Sequence, residues 1–151
     1  MRFLPHPRRG GVARRIERSG GAGYGKEAIL EDERQKTCAS AVVLANSLPR
    51  ANLVVFTHHG TMARYVSNLR PENAPIFAFT SNEEVFRQIV ISWGTHPVML
   101  EFDQDPNVTI NSALKYLSQK KLTDPGDNLI VLTDLLGGRD KVDCIQLRTA
   151  E

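Results

Sequence analysis

Residues 53–80 of this 151-residue chain have the sequence LVVFTHHGTMARYVSNLRPENAPIFAFT. The stretch contains two short apolar runs without polar alternation, Leu53–Phe56 and Pro75–Thr80. Runs of this kind are typical of strands that are covered on both faces of a sheet. The residues between them predict a helix over Gly60–Leu69. Together these segments indicate a strand–helix–strand unit with parallel strands.

The same alternation continues on both sides of this unit. A helix is predicted over Lys26–Leu48, because acidic residues crowd its first turns, apolar residues then recur every three or four positions, and Pro49 ends it. The further predicted elements are a helix over Asn82–Ser92, a strand over Pro97–Phe102, an amphipathic helix over Asn107–Lys121, and strands over Leu129–Thr133 and Val142–Arg148.

The order of these elements predicts the fold class. Strands that alternate with single helices form right-handed βαβ units, which build a parallel sheet with helices on both faces. We therefore expect an α/β fold, a three-layer α/β/α sandwich around a mostly parallel five-stranded sheet. The chain between the last two predicted strands is too short for a crossover helix, so the last strand is expected to be antiparallel.

Composition supports one globular domain. Hydrophobic residues make up 41% of the chain and charged residues 24%, which is close to the usage of soluble proteins. No apolar run approaches the roughly 18 residues that a membrane span needs, so no membrane partner is predicted. Cys38 and Cys144 lack the spacing of a zinc site or a disulfide framework and are expected to be free thiols in a reducing cytoplasm.

The two ends of the chain differ in charge. The first 26 residues carry seven Lys or Arg and one acidic residue, whereas the whole chain has a net charge of only +2. We expect a basic, Gly/Arg-rich tail over residues 1–25 and a globular domain over residues 26–151. The tail lacks interleaved aromatic residues, so no nucleic-acid partner is predicted, and it lacks the apolar segment of a secretory signal. A transit peptide stays open, because no acidic residue precedes Glu17.

Two predicted loops at the carboxyl ends of the strands carry groups that bind anions, and ligands of open α/β sheets collect at these ends. The first loop offers hydroxyls, a glycine and the free N–H groups of a helix start. The second offers two cations, one of which has the guanidinium fork that binds phosphate in two bonds. These features predict a phosphate site, although short loops also use such residues merely to turn. The candidate residues are Thr57, His58, His59, Gly60, Thr61, Arg139 and Lys141.

Other residues gave weaker indications. Adjacent side chains such as His58 and His59 point to opposite sides of an extended loop, so no metal site is expected there. Neither a GxGxxG nor a GxxxxGK[ST] motif is present, which gives no support to nucleotide binding of those types. His96 beside Pro97 is expected to have a structural role, and Trp93 to be a packing or interface residue.

The chain contains seven characteristic segments in a fixed order: Lys36-Thr37, Ala39–Val42, Leu53–Thr57, Gly60–Arg64, Leu69–Pro71, Ala74–Thr80 and Trp93–Val98. Taken together, they resemble the C-terminal α/β domain of pyruvate kinase. The resemblance covers about residues 27 to 149, and its specificity lies in the combination of the segments rather than in any one of them. Ala13–Glu17 also resembles the end of the helix that closes the catalytic barrel of that family, so the chain looks like a shortened pyruvate kinase.

The resemblance implies a role in regulation and tetramer assembly. In that family phosphoenolpyruvate and ADP react in a barrel that holds magnesium and potassium. The catalytic lysine, the metal-binding acids and the substrate loops of that barrel have no counterpart in this sequence. No catalytic residue and no cofactor is therefore expected in this chain, which is predicted to be inactive alone. The family's sugar-phosphate effector loops correspond here to Thr57–Met62 and Leu135–Lys141.

The first effector loop departs from the family pattern. His58 and His59 stand where effector-binding members usually have Lys or Glu and then Ser, and Met62 stands where a hydroxyl is common. The effector's identity is therefore left open. We expect a cytoplasmic protein that binds a phosphorylated small molecule and forms homo-oligomers, or associates through surface that the missing barrel would cover. The alternatives are a stand-alone α/β protein acting on a phosphorylated metabolite, and a module that docks onto an intact kinase.

Overall fold

The computed structural model describes residues 32–133 and 143–151, which form a five-stranded sheet and four helices. The predicted α/β class is confirmed. The strands are β1 Ala51–Phe56, β2 Ile76–Thr80, β3 Thr95–Met99, β4 Asn128–Thr133 and β5 Cys144–Thr149. The helices are α1 Glu33–Ser47, α2 Thr61–Asn68, α3 Glu83–Ile89 and α4 Pro106–Gln119. The predicted tail over residues 1–25 lies outside the described residues.

The strands lie in the order β3-β2-β1-β4-β5. β1 pairs in parallel with both β2 and β4, and Leu53 is in register with Ile76 on one side and Ile130 on the other. β3 is parallel to β2, and β5 runs antiparallel to β4. The prediction of an antiparallel last strand is therefore correct, since a short connection can only return the chain beside the strand it leaves.

Helices cover both faces of the sheet, which makes the three layers. On one face α1, α2 and α3 pack against alternate strand residues that include Leu53 and Val55 of β1. On the other face α4 packs against the intervening residues, which include Val54 and Phe56. All residues of β1 are buried, because successive side chains point to opposite faces of the sheet and helices cover both faces.

Side-chain caps fix where most of the helices begin. Asp32 is extended and its carboxylate accepts a hydrogen bond from the Gln35 N–H at 2.7 Å, so α1 begins at Glu33 and not at the predicted Lys26. Residues 26–31 lie outside the described part of the chain. Asn82 caps α3 and Asp105 caps α4 in the same way.

β3 begins and ends earlier than the predicted Pro97–Phe102. The Ile76 N–H donates to the Gly94 carbonyl at 3.1 Å, and the Leu100 N–H donates to the Thr80 carbonyl at 3.0 Å. Backbone groups of alternate residues therefore face β2, while those of Pro97 face the open edge of the sheet. A proline without an N–H fits an edge strand at such a position, which is why Pro97 lies inside the strand and does not begin it.

The last strand also differs slightly from the prediction. It covers Cys144–Thr149 and not Val142–Arg148, and Asp143 precedes it outside the regular strand.

Cys38 is buried in α1, Cys144 is half-buried, and both are free, as expected. None of the helices in the described part of the chain has the length and apolarity that crossing a membrane requires.

A hydrogen-bonded cluster joins the amino ends of β1 and β4. The Arg50 guanidinium donates to the Asp127 carboxylate at 2.6 Å and to the Pro125 carbonyl at 2.8 Å. The other Asp127 oxygen accepts from the Asp124 N–H at 2.8 Å. These two donors, first the Asp124 N–H and then Arg50, hold the pKa of Asp127 below its usual range despite its burial.

Candidate functional site

The strand order places a topological switch point between β1 and β4. From β1 the chain moves through β2 to β3 on one side, and α4 then carries it across to β4 on the other side of β1. In open α/β sheets the crevice for ligands lies outside the carboxyl ends of the two strands at such a point. The first predicted anion loop follows β1 at this place.

A short hydrogen-bonded turn forms this loop. The Gly60 N–H donates to the Thr57 hydroxyl oxygen at 2.8 Å, and the Thr57 N–H donates to the Phe79 carbonyl of β2 at 3.0 Å. Gly60 has a φ of 80°, in the left-handed region that favours glycine. Its carbonyl then accepts the Arg64 N–H at 3.0 Å, the first backbone bond of α2. The turn thus aims the first N–H groups of α2 towards the carboxyl edge.

Among residues 32–133 and 143–151, no side chain caps the start of α2. Gly60 occupies the capping position and provides no acceptor, whereas carboxylate or amide oxygens cap the other three helices described. The first N–H groups of a helix lack partners within the helix and attract negative charge. Thr61, the first residue of α2, is half-buried beside them. The arrangement is chemically suited to a phosphate or carboxylate group.

The two histidines of the loop have different surroundings. His58 and His59 are both exposed, with ring centroids 6.4 Å apart and ring planes inclined by 51°. The His58 ring also lies edge-to-face against Phe102, at 5.1 Å between centroids. Phe102 was expected to lie within a strand, and no pattern in the sequence indicated this contact. It follows β3 and brings the segment before α4 next to the loop after β1.

The second predicted loop cannot be placed in the same detail. Arg139 and Lys141 lie outside the described residues. The chain leaves β4 at Thr133, which is buried, and is described again from Asp143. Both of these ends lie at the carboxyl edge of the sheet, next to β1 and the switch point.

An ion pair that the sequence did not indicate fixes one of these ends. The Arg34 guanidinium of α1 binds both Asp143 oxygens, at 3.1 Å and 3.0 Å, just before β5 begins. Two parallel bonds of this kind fix orientation as well as position. The partners are far apart in sequence, and no local pattern connects them.

His96 and Trp93, which the sequence analysis also considered, both contact neighbouring residues of the domain. His96 packs against Phe77, with 5.5 Å between ring centroids. Trp93 is half-exposed, its carbonyl accepts the Ser67 hydroxyl at 2.8 Å, and the Arg70 guanidinium lies 5.7 Å from its ring centroid. Within residues 32–133 and 143–151 no group of three or more His, Cys, Asp or Glu side chains is arranged to hold a metal ion.

The fold and the loop define a class of protein, namely a doubly wound α/β domain with an uncapped helix start at its switch point. The chain matches the family model described as pyruvate kinase, alpha/beta domain, over residues 35–147. It therefore belongs to the pyruvate kinase family and contains its α/β domain, which confirms the resemblance seen in the sequence.

Relatives in this family share part of their length with the chain. It is 35% identical over 102 residues to the chloroplastic pyruvate kinase isozyme A of Nicotiana tabacum, covering 68% of this chain and 17% of that protein. It is 30% identical over 128 residues to the pyruvate kinase of Lactococcus lactis, covering 85% of this chain and 24% of that protein. The chain thus spans about a fifth of the length of these relatives.

Solved structures show the same fold. The pyruvate kinase of Cryptosporidium parvum in complex with ADP has a TM-score of 0.72 and 21% sequence identity, covering 93% of this chain and 27% of that one. Another crystal structure of this parasite enzyme has a TM-score of 0.71. At this identity the comparison supports the architecture alone.

Proposed function

We propose that this chain is a regulatory and assembly domain of a glycolytic pyruvate kinase. It binds a phosphorylated small-molecule effector at the carboxyl ends of β1 and β4, and it does not by itself transfer phosphate from phosphoenolpyruvate to ADP. The observation that carries the proposal is the uncapped start of α2 at the switch point, behind the Thr57–Gly60 turn. Family membership supplies the enzyme in which such a domain acts.

The proposed effector site combines the two anion-binding loops that were predicted from the sequence. Thr57, Gly60 and Thr61 hold the first N–H groups of α2 in position for one phosphate group. Arg139 and Lys141 are assigned to the same phosphate or a second one, because their segment begins and ends at the edge where the first loop opens. Cationic side chains together with backbone N–H groups favour a strongly anionic ligand.

Isothermal titration calorimetry tests this site. We expect fructose 1,6-bisphosphate, AMP or a sugar monophosphate to bind, and Arg139→Ala to weaken binding by about 1.5–3 kcal/mol. Lys120→Ala is a matched control, because it removes a charge at the end of α4, which lies at the opposite edge of the sheet. Equal affinity in the wild type and Arg139→Ala would remove the second loop from the site.

The proposal that the chain alone is inactive rests on the resemblance. The segments that match the family belong to its α/β domain, whereas the family's phosphoryl transfer takes place in the barrel. A lactate-dehydrogenase-coupled assay with phosphoenolpyruvate, ADP, magnesium and potassium measures this directly. We expect no turnover above the blank from pure protein, and activity that copurifies with the chain would overturn this part of the proposal.

The open edge of β5 supports a role in assembly. The Ala150 N–H donates to the Asp127 carbonyl at 2.9 Å, so in β5 the backbone groups of alternate residues face β4 and those of Ile145, Leu147 and Thr149 face outward. Leu147 is 53% exposed beside these backbone groups, which pair with no other strand in the described part of the chain. An edge strand without proline or lysine is ready to pair with another strand, whereas Pro97 interrupts the outer edge of β3. We propose that β5 pairs with β5 of a second copy.

Sedimentation velocity over a range of concentrations tests this contact. Leu147→Lys is expected to shift the protein towards monomer, because a charge on an edge strand opposes pairing. Met99→Lys is the matched control, since Met99 is 43% exposed on the other edge strand. A wild-type monomer at high concentration, or equal effects of the two variants, would contradict pairing through β5.

The proposed location is the cytoplasm. The matched relatives include bacterial enzymes and enzymes named as chloroplastic, so family membership alone allows more than one compartment. Fractionation of cells that express the tagged full chain decides between them, and recovery with an organelle would contradict the cytoplasmic assignment.

A further inference from the structure

An exposed apolar turn leads from α3 into β3. Val90, Ile91 and Trp93 are 52%, 89% and 50% exposed, although they lie within four consecutive residues. We infer that this segment, called the Trp93 turn below, is a docking surface for a helix of another protein whose apolar stripe is flanked by carboxylates. The inference goes beyond the effector site and the β5 contact proposed above and depends on neither.

Hydrogen bonds fix the backbone of the Trp93 turn. The Trp93 carbonyl accepts from the hydroxyls of Ser67 at 2.8 Å and Thr95 at 3.2 Å. The Gly94 carbonyl accepts the Ile76 N–H of β2 at 3.1 Å. Gly94 itself has a φ of 64°, which turns the chain into the strand. The exposed side chains are thus presented by a backbone that is ordered before any partner arrives, and a preorganised surface loses less entropy on binding.

The composition of the Trp93 turn is that of a binding hot spot. The Arg70 guanidinium lies 5.7 Å from the Trp93 ring centroid, at the distance of a cation–π contact. The indole is thereby held on one side while half of the residue stays accessible. Trp and Arg are enriched among the residues that carry the binding energy of interfaces, and they act beside neighbours that exclude water. Val90 and Ile91 are such neighbours.

Two arginines give the surface its charge. Arg70 borders Trp93, and Arg87 precedes Val90 by three positions, which is the spacing of neighbours on one face of a helix. Arg87 also pairs with Glu83 one turn earlier in α3, but both side chains are largely exposed, and such pairs contribute little in water. A carboxylate of a partner can therefore replace Glu83. Charge complementarity favours a partner with acidic groups beside its apolar residues and disfavours a basic one.

Size and edge geometry point to a helix as the occupant. Three adjacent side chains present at most a few hundred Å² of apolar surface, whereas a stable complex of two globular proteins buries about 800 Å² on each. The Trp93 turn is therefore too small to hold a second copy of this chain by itself. An added strand is also disfavoured, because Pro97 at the open edge of β3 has no N–H to donate. A single amphipathic helix needs only a small apolar surface, since its anchor residues fall on one face.

Fluorescence of the full chain tests the inference, because Trp93 is its only tryptophan. The probe is a synthetic helix of about 18 residues, or five turns, with a leucine stripe flanked by glutamates. A matched peptide has lysine in place of every glutamate. We expect the acidic peptide to shift the Trp93 emission to shorter wavelengths in a saturable and salt-sensitive way, and the basic peptide to bind at least about tenfold more weakly. Equal affinity for the two peptides, or no shift with either, would overturn the inference.

Variants locate the contact on the surface. Ile91→Asn is expected to weaken binding of the acidic peptide at least about tenfold and to leave Tm unchanged, because Ile91 is exposed. Val108→Asn is the matched control, since Val108 is an exposed apolar residue of α4 on the other face of the sheet. Equal losses in these two variants would mean general adsorption to apolar surface and would contradict a docking site.

The same emission distinguishes the other occupants. A shift that grows with protein concentration in the absence of peptide would assign the Trp93 turn to contact between copies of this chain. Pairing through β5 lies at the opposite edge of the sheet and is not expected to move the emission. A shift with vesicles of anionic lipid, but not with the acidic peptide, would assign the turn to a membrane surface. Either result would overturn the inference, whereas double replacement Arg70→Gln and Arg87→Gln is expected to remove the preference for the acidic peptide.

Discussion

Gly60→Ala is a sharp test of how the candidate site is built. At a φ of 80° any residue with a side chain adopts the left-handed conformation at a cost of about 1–2 kcal/mol. A Cβ at this position would also lie 3.3 Å from Cγ1 of Val85 and 3.5 Å from Cγ2 of Ile89. Both are core residues of α3. The distance to Ile89 is an ordinary van der Waals contact, but the distance to Val85 is tighter, so Val85 must give by a few tenths of an ångström, and overpacking costs about 1–3 kcal/mol. We expect a loss of about 2–4 kcal/mol in the free energy of unfolding.

Two further variants separate the backbone cost of Gly60→Ala from its packing cost. Gly94 has a φ of 64°, and a Cβ there would meet no atom within 4 Å, so Gly94→Ala reports the backbone cost alone, about 1–2 kcal/mol. Adding Val85→Ala to Gly60→Ala removes the methyl group that is approached most closely. The double variant is therefore expected to lose less unfolding free energy than the sum of the losses in Gly60→Ala and Val85→Ala.

Urea unfolding at pH 7, followed by circular dichroism at constant temperature, provides these free energies. Gly60→Ala should also weaken sulfate binding, because a shifted turn misplaces the N–H groups at the start of α2, whereas Gly94→Ala should not. If the two glycine variants lose the same stability, contact with α3 does not set the geometry of the loop. If Gly60→Ala binds sulfate like the wild type, the turn does not define the anion site.

Three other groups give predictions that standard methods can check. Asp127→Asn is expected to cost about 1–2 kcal/mol at pH 7 in urea unfolding. Because the pKa of Asp127 is lowered on folding, its contribution is present above the ordinary aspartate value of about 3.9 and is lost as pH falls below it, so the variant should lose less stability than the wild type there. Burial, followed by the charge of Asp143, raises the pKa of Cys38 to about 12, so stability should fall as pH rises from 9 towards 12, and Cys38→Ala should flatten that fall. Arg34→Lys should cost about 0.5–1.5 kcal/mol through the loss of the two-bond contact with Asp143, and an unchanged stability would show that the pair is not structural.

The sequence predicted most of the elements because each follows from local patterns. Buried parallel strands need continuous apolar runs, and β1 over Ala51–Phe56 has one. The prediction was wrong at β3, where Pro97 was taken as a boundary. Whether a proline fits inside a strand depends on which way its missing N–H would face, and that is decided by the neighbouring strand.

The candidate site was predicted only in part. The sequence singled out Thr57–Thr61 and Arg139 and Lys141 as anion-binding groups, and their roles remain proposals. It gave no sign of the Phe102–His58 contact or of the Arg34–Asp143 pair. Contacts between segments that are distant in sequence leave no periodic signal, since periodicity reports only the face on which a residue lies.

The sequence by itself determined the alternation of strands and helices, the antiparallel return of the last strand and membership of the pyruvate kinase family. These follow from hydrophobic patterning, from the reach of a short connection, and from an ordered set of matching segments. Only the tertiary structure decided the strand order β3-β2-β1-β4-β5, which places the ends of β1 and β4 side by side. Strand order depends on which neighbours pack best around one shared core, and this is a property of the whole chain that no single segment carries.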